Sequence, residues 1–267
     1  MHQLFDRLDI HLKRGRLRLY SPDGDYVEKL KDVSIHLGHV WLPTPSEVLL
    51  FQDEFTYYRQ PDVAPAYAEA GADQICAPLS HRSNCAYRVV GALDAYCGRV
   101  MYMQKETITL RTLEHFYQHI CATYPHAKTI YMAQDNWPVH FHPDVLATLE
   151  PQRFPWPLHV PGNWPTEPTP RAHRLNLPIQ ILPLPTYAPW TNPIEKLWRW
   201  LRQEELHLHR YADRWDELKG LVGNFLDRFR HGSQALLQYV GLTINSHQYG
   251  AAIAGTLSPP EVVRLNC

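Results

Sequence analysis

The chain has 267 residues, 45% of them hydrophobic and 12% aromatic, which is enough to close a sizeable core and excludes a disordered or fibrous protein. Its 26 Lys and Arg balance 27 Asp and Glu, so it does not coat nucleic acid through net charge, and any DNA contact must come from local basic patches. Five scattered cysteines (Cys76, Cys85, Cys97, Cys121, Cys267) contain no C-x-x-C pair, and no apolar run approaches the roughly 18 residues of a membrane span. Reduced thiols, no membrane partner and a cytoplasmic location are expected.

Residues 1–45 begin with the basic cluster Lys13-Arg14-Gly15-Arg16-Leu17-Arg18 and the turn signal Ser21-Pro22-Asp23-Gly24. They predict an extension rather than a compact domain, with one short helix from Asp25 to Leu37 ended by Gly38. Val48 to Gln52 is continuously apolar, as befits a strand buried on both faces. Tyr87 to Asp94 and Arg99 to Gln104 predict two strands joined by a Cys97-Gly98 turn. Leu113, Phe116, Tyr117, Ile120 and Cys121 line one face of a helix over 110–123.

Lys128 to Gln134 predicts the next strand, and Pro143 to Glu150 a short helix. Eight prolines between Pro151 and Pro178 predict an irregular excursion, which ends at a strand over 179–182. Helices over 193–206 and 213–230 follow, with a stop at Gly232. The remainder, 233–267, is expected to be a tail carrying one short helix over 234–240. Strands and helices in this order predict an α/β architecture, a mixed sheet flanked by helices with its site at the strand ends.

Two apolar runs end in acid: Val48-Leu-Leu-Phe-Gln-Asp53-Glu54 and Tyr131-Met-Ala-Gln-Asp135-Asn136. A third acid, Glu195, starts a helix in Asn192-Pro193-Ile194-Glu195. Each has a structural reading. Asp135 and Asn136 suit a turn, Asp53-Glu54 suits a polar strand end, and Glu195 suits a capping box reaching back to Asn192. Their combination at one edge of one sheet favours a shared cation, because clustered carboxylates repel unless neutralised and an all-oxygen site selects Mg²⁺ or Mn²⁺.

Asp53, Asp135 and Glu195 are therefore the candidate catalytic and metal-binding residues, with two ions roughly 3.5–4 Å apart. Arg199 and Arg202, on the flank of Glu195, are candidates to hold DNA phosphates. Lys196, Asn136 and His140 are further candidate DNA contacts, His140 alternatively supporting the Asp135 turn. Among 16 histidines, His140-Phe-His142 is a weak zinc signal without a cysteine pair. Trp137, Trp190, Trp198 and Trp200 are candidates for stacking on bases, with core packing favoured for Trp198. Asp94 reads as a turn residue.

The segments FQDEFTYYRQP, RVVGALDAYCGRV, AQDNWPVHFHPDV and LPTYAPWTNPIEKLWRWLR resemble the catalytic domain of bacterial insertion-sequence transposases related to the mariner group, the DDE superfamily endonucleases. The resemblance runs from about residue 4 to 230. It implies a ribonuclease H-like fold over 46–232, with 151–178 as an insertion, and matches Asp53, Asp135 and Glu195 to the family's acidic triad. It also implies hydrolytic nicking at transposon ends, attack of the freed 3′-hydroxyl on target DNA, and a homodimer in the active complex.

Such transposases usually carry an N-terminal helix-turn-helix, for which the residues before Phe51 leave no room. A truncated copy, or a separately encoded N-terminal DNA-binding part, is the corresponding expectation. Glu195 also lies 60 positions after Asp135, longer than is usual in the family, and the Pro-rich stretch accounts for the difference. The competing expectation is a non-catalytic, domesticated DNA-binding module with the same fold.

Overall fold

The computed structural model describes residues 20–40, 46–67, 71, 75–152 and 161–242. The basic cluster at 13–18, residues 153–160 of the Pro-rich stretch and the chain beyond 242 lie outside the described residues. The elements in order are α1 (Tyr26–Val40), β1 (Glu47–Tyr58), β2 (Ala86–Asp94), β3 (Val100–Lys105), α2 (Leu110–Thr123), β4 (Thr129–Gln134), α3 (Pro143–Leu146), β5 (Ile179–Pro183), α4 (Ile194–Leu201), α5 (Trp215–Asp227) and α6 (Gln234–Val240). A 3₁₀ turn at Pro138–Phe141 precedes α3, and a π-helical turn at Arg202–Leu206 extends α4.

The sheet has the order β3-β2-β1-β4-β5. β1 lies at its centre, antiparallel to β2 and parallel to β4, and β4 is parallel to β5. That is the mixed sheet expected. Alternation along β1 sorts its side chains to two faces. Leu49, Phe51, Phe55 and Tyr57 join a core built with α1, α4, α5 and α6, while Leu50 joins one built with α2 and the 138–149 segment. Helices thus cover both faces, which is why Leu49, Leu50 and Phe51 are all fully buried.

Several elements differ from expectation for identifiable reasons. β1 does not stop at Gln52. β4 ends beside it, but β2 continues to pair with it out to the Tyr58–Ala86 rung, so Asp53 and Glu54 sit inside a strand. α1 runs through Gly38 to Val40, because Val40 is buried against the sheet and a Gly costs a helix only about 1 kcal/mol. The helix expected over 143–150 ends at Leu146, since residues 148–150 leave it to bond Leu177: the Leu177 amide donates to the Thr148 carbonyl (2.9 Å) and the Glu150 amide to the Leu177 carbonyl (2.9 Å). α6 is not a loose tail, as Leu236, Leu237 and Val240 belong to the core.

The Cys97-Gly98 turn forms as expected. Gly98 adopts φ +71, and Asp94 Oδ1 accepts the Tyr96 (2.7 Å) and Cys97 (3.0 Å) amides. Its other oxygen accepts the Tyr124 hydroxyl at 2.6 Å, so Asp94 is a structural acid. No helix among the described residues is long and apolar enough to cross a membrane.

Candidate active site

The last paired rung between the parallel strands β1 and β4 joins Phe51 to Ala133. Asp53 and Asp135 each lie two residues further along. β4 has ended by then, which frees Asp135 to turn outward, while Asp53 stays fixed by the β2 ladder. Residue parity puts Asp53 on the α4 side of the sheet. There its Oδ2 accepts the indole N–H of Trp198, 3.0 Å away.

That contact depends on Gly91, the residue paired with Asp53 on β2. A Cβ at Gly91 would lie 2.6 Å from Trp198 Cη2, so any larger side chain displaces the indole. The loop leading to α4 is tied to the same strand, because the buried Asn192 donates Nδ2 to the Gln52 carbonyl at 3.0 Å. α4 therefore starts beside Asp53, with Glu195 in its first turn. The Asn192 amide bonds the Pro189 carbonyl (3.0 Å), so the capping-box role considered for Glu195 is not formed.

The three acids feel one another electrostatically. Asp53 is held well above the usual carboxylate range by burial, then by the charges of Glu195, Glu54 and Asp135, against an opposing bond from the Glu54 amide. Glu195 is raised by burial and by Asp135, with Arg202 and Arg199 opposing. Asp135 is raised by burial and by Glu54, opposed by His140 and by the Trp137 amide, which donates to its Oδ1 at 3.0 Å. With 56% of its side-chain surface open, Asp135 is strongly screened by solvent, and only the direction of its shift carries weight.

Every pair among Asp53, Asp135 and Glu195 thus contributes to at least one of these shifts. Without a cation the cluster is self-repelling. Its donors are all carboxylate oxygens, which suits Mg²⁺ or Mn²⁺.

A second group touches Asp135 from the opposite face. His140 is fully buried, with Nε2 3.4 Å from Glu54 Oε2 and 3.7 Å from Asp135 Oδ1, both too long or misaligned to count as hydrogen bonds. Burial disfavours its charged form, but Glu54 and then Asp135 outweigh that and raise its pKa. Glu54 Oε1 meanwhile accepts the Gln52 side-chain amide at 2.7 Å. Ligand atoms of Glu54, Asp135 and His140 all lie within 4.8 Å of one another. The His140 imidazole offsets part of the trio's negative charge, and the trio backs Asp135 from behind.

The expected DNA contacts divide. Arg199 and Arg202 are exposed, Arg202 lying 3.5 Å from Asp62 Oδ2 with its guanidinium over the Phe55 ring. Lys196 is corrected: partly buried, it donates Nζ to the Val240 carbonyl (2.8 Å), tying α4 to α6. His140 is too deeply buried to reach DNA directly. Asn136 gives Nδ2 to the Leu184 carbonyl (3.1 Å) and Thr186 Oγ1 (2.8 Å), anchoring the loop after β5.

Of the tryptophans, Trp198 orients an acid and Trp190 donates to the Tyr26 hydroxyl at 3.0 Å. Trp200 packs on Phe225, Phe229 and Tyr239, and Trp137 stands edge-on to His140. His142 accepts the Asp144 amide through Nδ1 at 3.1 Å and ligates nothing with His140. The residues missed from sequence are Glu54, Gly91 and the acid-binding role of Trp198. A glycine within the strand-like run 87–94 was the available signal for Gly91.

Comparison with known proteins gives a consistent pattern. The sequence profile of the family described as DDE superfamily endonuclease matches residues 48–219, from β1 into α5. A curated relative, an uncharacterized 39 kDa protein of insertion element IS630 from Shigella sonnei, is 23% identical over 203 residues, which is 76% of this chain and 50% of the relative. The chain therefore spans half the length of that relative.

Among solved structures, the Mos1 mariner paired-end complex with Mn aligns over 97% of this chain and 75% of its own, with TM-score 0.59 and 16% identity. The Mos1 strand transfer complex aligns over 97% and 71%, with TM-score 0.57 and 14% identity. At these identities the likeness establishes the fold, a ribonuclease H-like sheet flanked by helices.

Two outcomes test the geometry. Gly91→Ala should push Trp198 off Asp53, lowering stability by about 1–3 kcal/mol in chemical denaturation and weakening Mn²⁺ binding; an unchanged variant contradicts the role given to Gly91. Asp53→Asn, which can still accept the indole N–H, should stabilise the metal-free protein at pH 7 by on the order of 1 kcal/mol, because the ionised carboxylate is the disfavoured form in the fold. By linkage, the metal-free wild type should gain stability as pH falls from 7 towards the ordinary carboxylate range, and the variant should gain less. Thermal melts with and without Mn²⁺ read both effects.

Proposed function

The chain belongs to the DDE superfamily endonucleases, and from that premise we propose that it is the catalytic part of an insertion-sequence transposase, cutting DNA at transposon ends and joining the freed 3′ ends to target DNA. The observation that carries this reading is the placement of Asp53 and Asp135 each two residues past the last β1–β4 rung, with Glu195 in the first turn of α4 near enough for its charge and that of Asp135 to raise Asp53.

These three residues would hold Mg²⁺ or Mn²⁺, with two ions as the working number. When bound, the metal activates an attacking oxygen and stabilises a leaving one in phosphodiester displacement. The chain's own contribution is preorganisation. The Trp198 indole aims Asp53, the Trp137 amide and His140 hold Asp135, and Asn192 fixes where α4 begins. Glu195 accepts no capping bond and is free to serve as a ligand. Arg199 and Arg202 bind phosphates of transposon-end and target DNA, supplying affinity without reading sequence.

Solved relatives include a paired-end complex. By analogy, this chain acts as a homodimer that brings two ends together.

The test is nicking of a supercoiled plasmid by the purified chain with Mn²⁺ or Mg²⁺. Activity should vanish with chelator and fall in Asp135→Asn by at least the roughly 10–100-fold that loss of a metal's outer-shell partner costs. Transfer of a labelled 3′ end into target DNA should accompany it. Nicking without joining would indicate a nuclease. Retained DNA binding with neither activity would support the domesticated module instead.

A further inference from the structure

We propose that His36, His39 and Glu47 form a second metal site, selective for zinc-class transition ions and separate from the acid cluster. It clamps α1 to the entry end of the central strands. His36 and His39 are three residues apart on α1, so their rings project from one helical face. Glu47 is the first residue of β1 and pairs with Thr129 of β4. Both imidazoles present Nδ1 to the same carboxylate oxygen: Glu47 Oε2 lies 3.2 Å from His39 Nδ1 and 3.6 Å from His36 Nδ1. The three ligand atoms all lie within 4.8 Å of one another.

Ligands bound to tetrahedral zinc at 2.0–2.1 Å stand roughly 3.3–3.4 Å apart, and the two observed N···O separations bracket that figure. An ordinary histidine–carboxylate ion pair accounts for one imidazole. It leaves the other idle, and His36 Nδ1 is in fact buried without a hydrogen-bond partner. An unpaired buried nitrogen costs about 1–3 kcal/mol, and a shared cation removes that cost.

The His36 ring is also fixed from behind. It lies over Tyr131 of β4, with ring centroids 3.6 Å apart and planes tilted by 30°. That contact limits rotation of the His36 ring. Side-chain exposures of 19% for His36, 49% for His39 and 29% for Glu47 leave the site open to solvent, with room for water as a fourth ligand.

The donor set is two nitrogens and one carboxylate oxygen, which favours Zn²⁺, Co²⁺ or Ni²⁺ over Mg²⁺. Glu47 and Asp53 are six residues apart on one extended strand, about 20 Å at 3.3 Å per residue. The two sites are therefore separated along β1, one at its first residue and the other in its interior, and this inference stands whether or not the chain cuts DNA. A bound ion cross-links a helix to a strand, so it should stabilise the fold.

The experiment uses the purified full chain, stripped with chelator and titrated with Co²⁺ and then Zn²⁺. The expected result is one Co²⁺ per chain with the visible absorption of tetrahedral nitrogen–oxygen coordination, displaced by Zn²⁺, and a rise in the thermal midpoint on Zn²⁺ binding. His39→Ala and Glu47→Gln, both at solvent-accessible positions, should each weaken binding at least tenfold while leaving the circular dichroism spectrum unchanged. Asp53→Asn and Asp135→Asn should retain it. No Co²⁺ band, binding that survives both His39→Ala and Glu47→Gln, or binding lost in Asp135→Asn would each overturn the proposal.

Discussion

Negative charge gathered where two parallel strands part is the constraint on which the rest of this structure depends. β1 carries Asp53, and Asp135 follows β4, each two residues past their last shared rung, while α4 carries Glu195 in its first turn. Burial raises all three, Glu195 and Asp135 add to it at Asp53, Asp135 adds to it at Glu195, and Glu54 adds to it at Asp135, so the fold must restrain them by other means. Trp198 supplies a hydrogen bond to one acid, the Trp137 amide to another, and a Gln52–Glu54–His140 chain backs the second from below. Gly91 leaves room in β2 for the edge of the Trp198 indole.

The same constraint explains features that look unrelated. β1 must outrun β4 for Asp53 to remain in a rigid ladder while Asp135 is released to the surface. α4 must begin at a fixed height, which Asn192 sets through the Gln52 carbonyl. From the first turn of α4, Lys196 reaches the Val240 carbonyl and so couples α4 to α6. The helix bearing the third acid is thereby gripped at both its start and its outer flank. The widened turn at Arg202–Leu206 then redirects the chain just where Arg202 emerges beside Phe55.

Much of this was legible in the sequence. The continuous apolar run before Asp53 marks a central strand, the 3.6-residue periodicity at 110–123 marks a helix that forms over those residues, and Asp94 behaves as a turn residue. What sequence periodicity did not reveal depends on contacts between distant segments. The extension of β1 is decided by β2, which begins only at Ala86, and the shortening of the 143–150 helix by Leu177. Lys196, grouped with Arg199 and Arg202 as a DNA contact, instead sends its side chain to the Val240 carbonyl of α6. Glu54 looked like a surface companion of Asp53. Strand alternation instead sends it to the opposite face, where it meets a buried histidine 86 positions away in the sequence.

A crystal of the full chain soaked in Mn²⁺ and measured at the manganese absorption edge is the most direct test of the central claim. Anomalous density should appear between the carboxylates of Asp53, Asp135 and Glu195, with metal–oxygen distances near 2.1–2.2 Å, close to those of Mg²⁺, and with Trp198 still bonded to Asp53. Density centred instead on Glu54 and His140, or none at saturating Mn²⁺, would contradict the assignment of these three acids as one site.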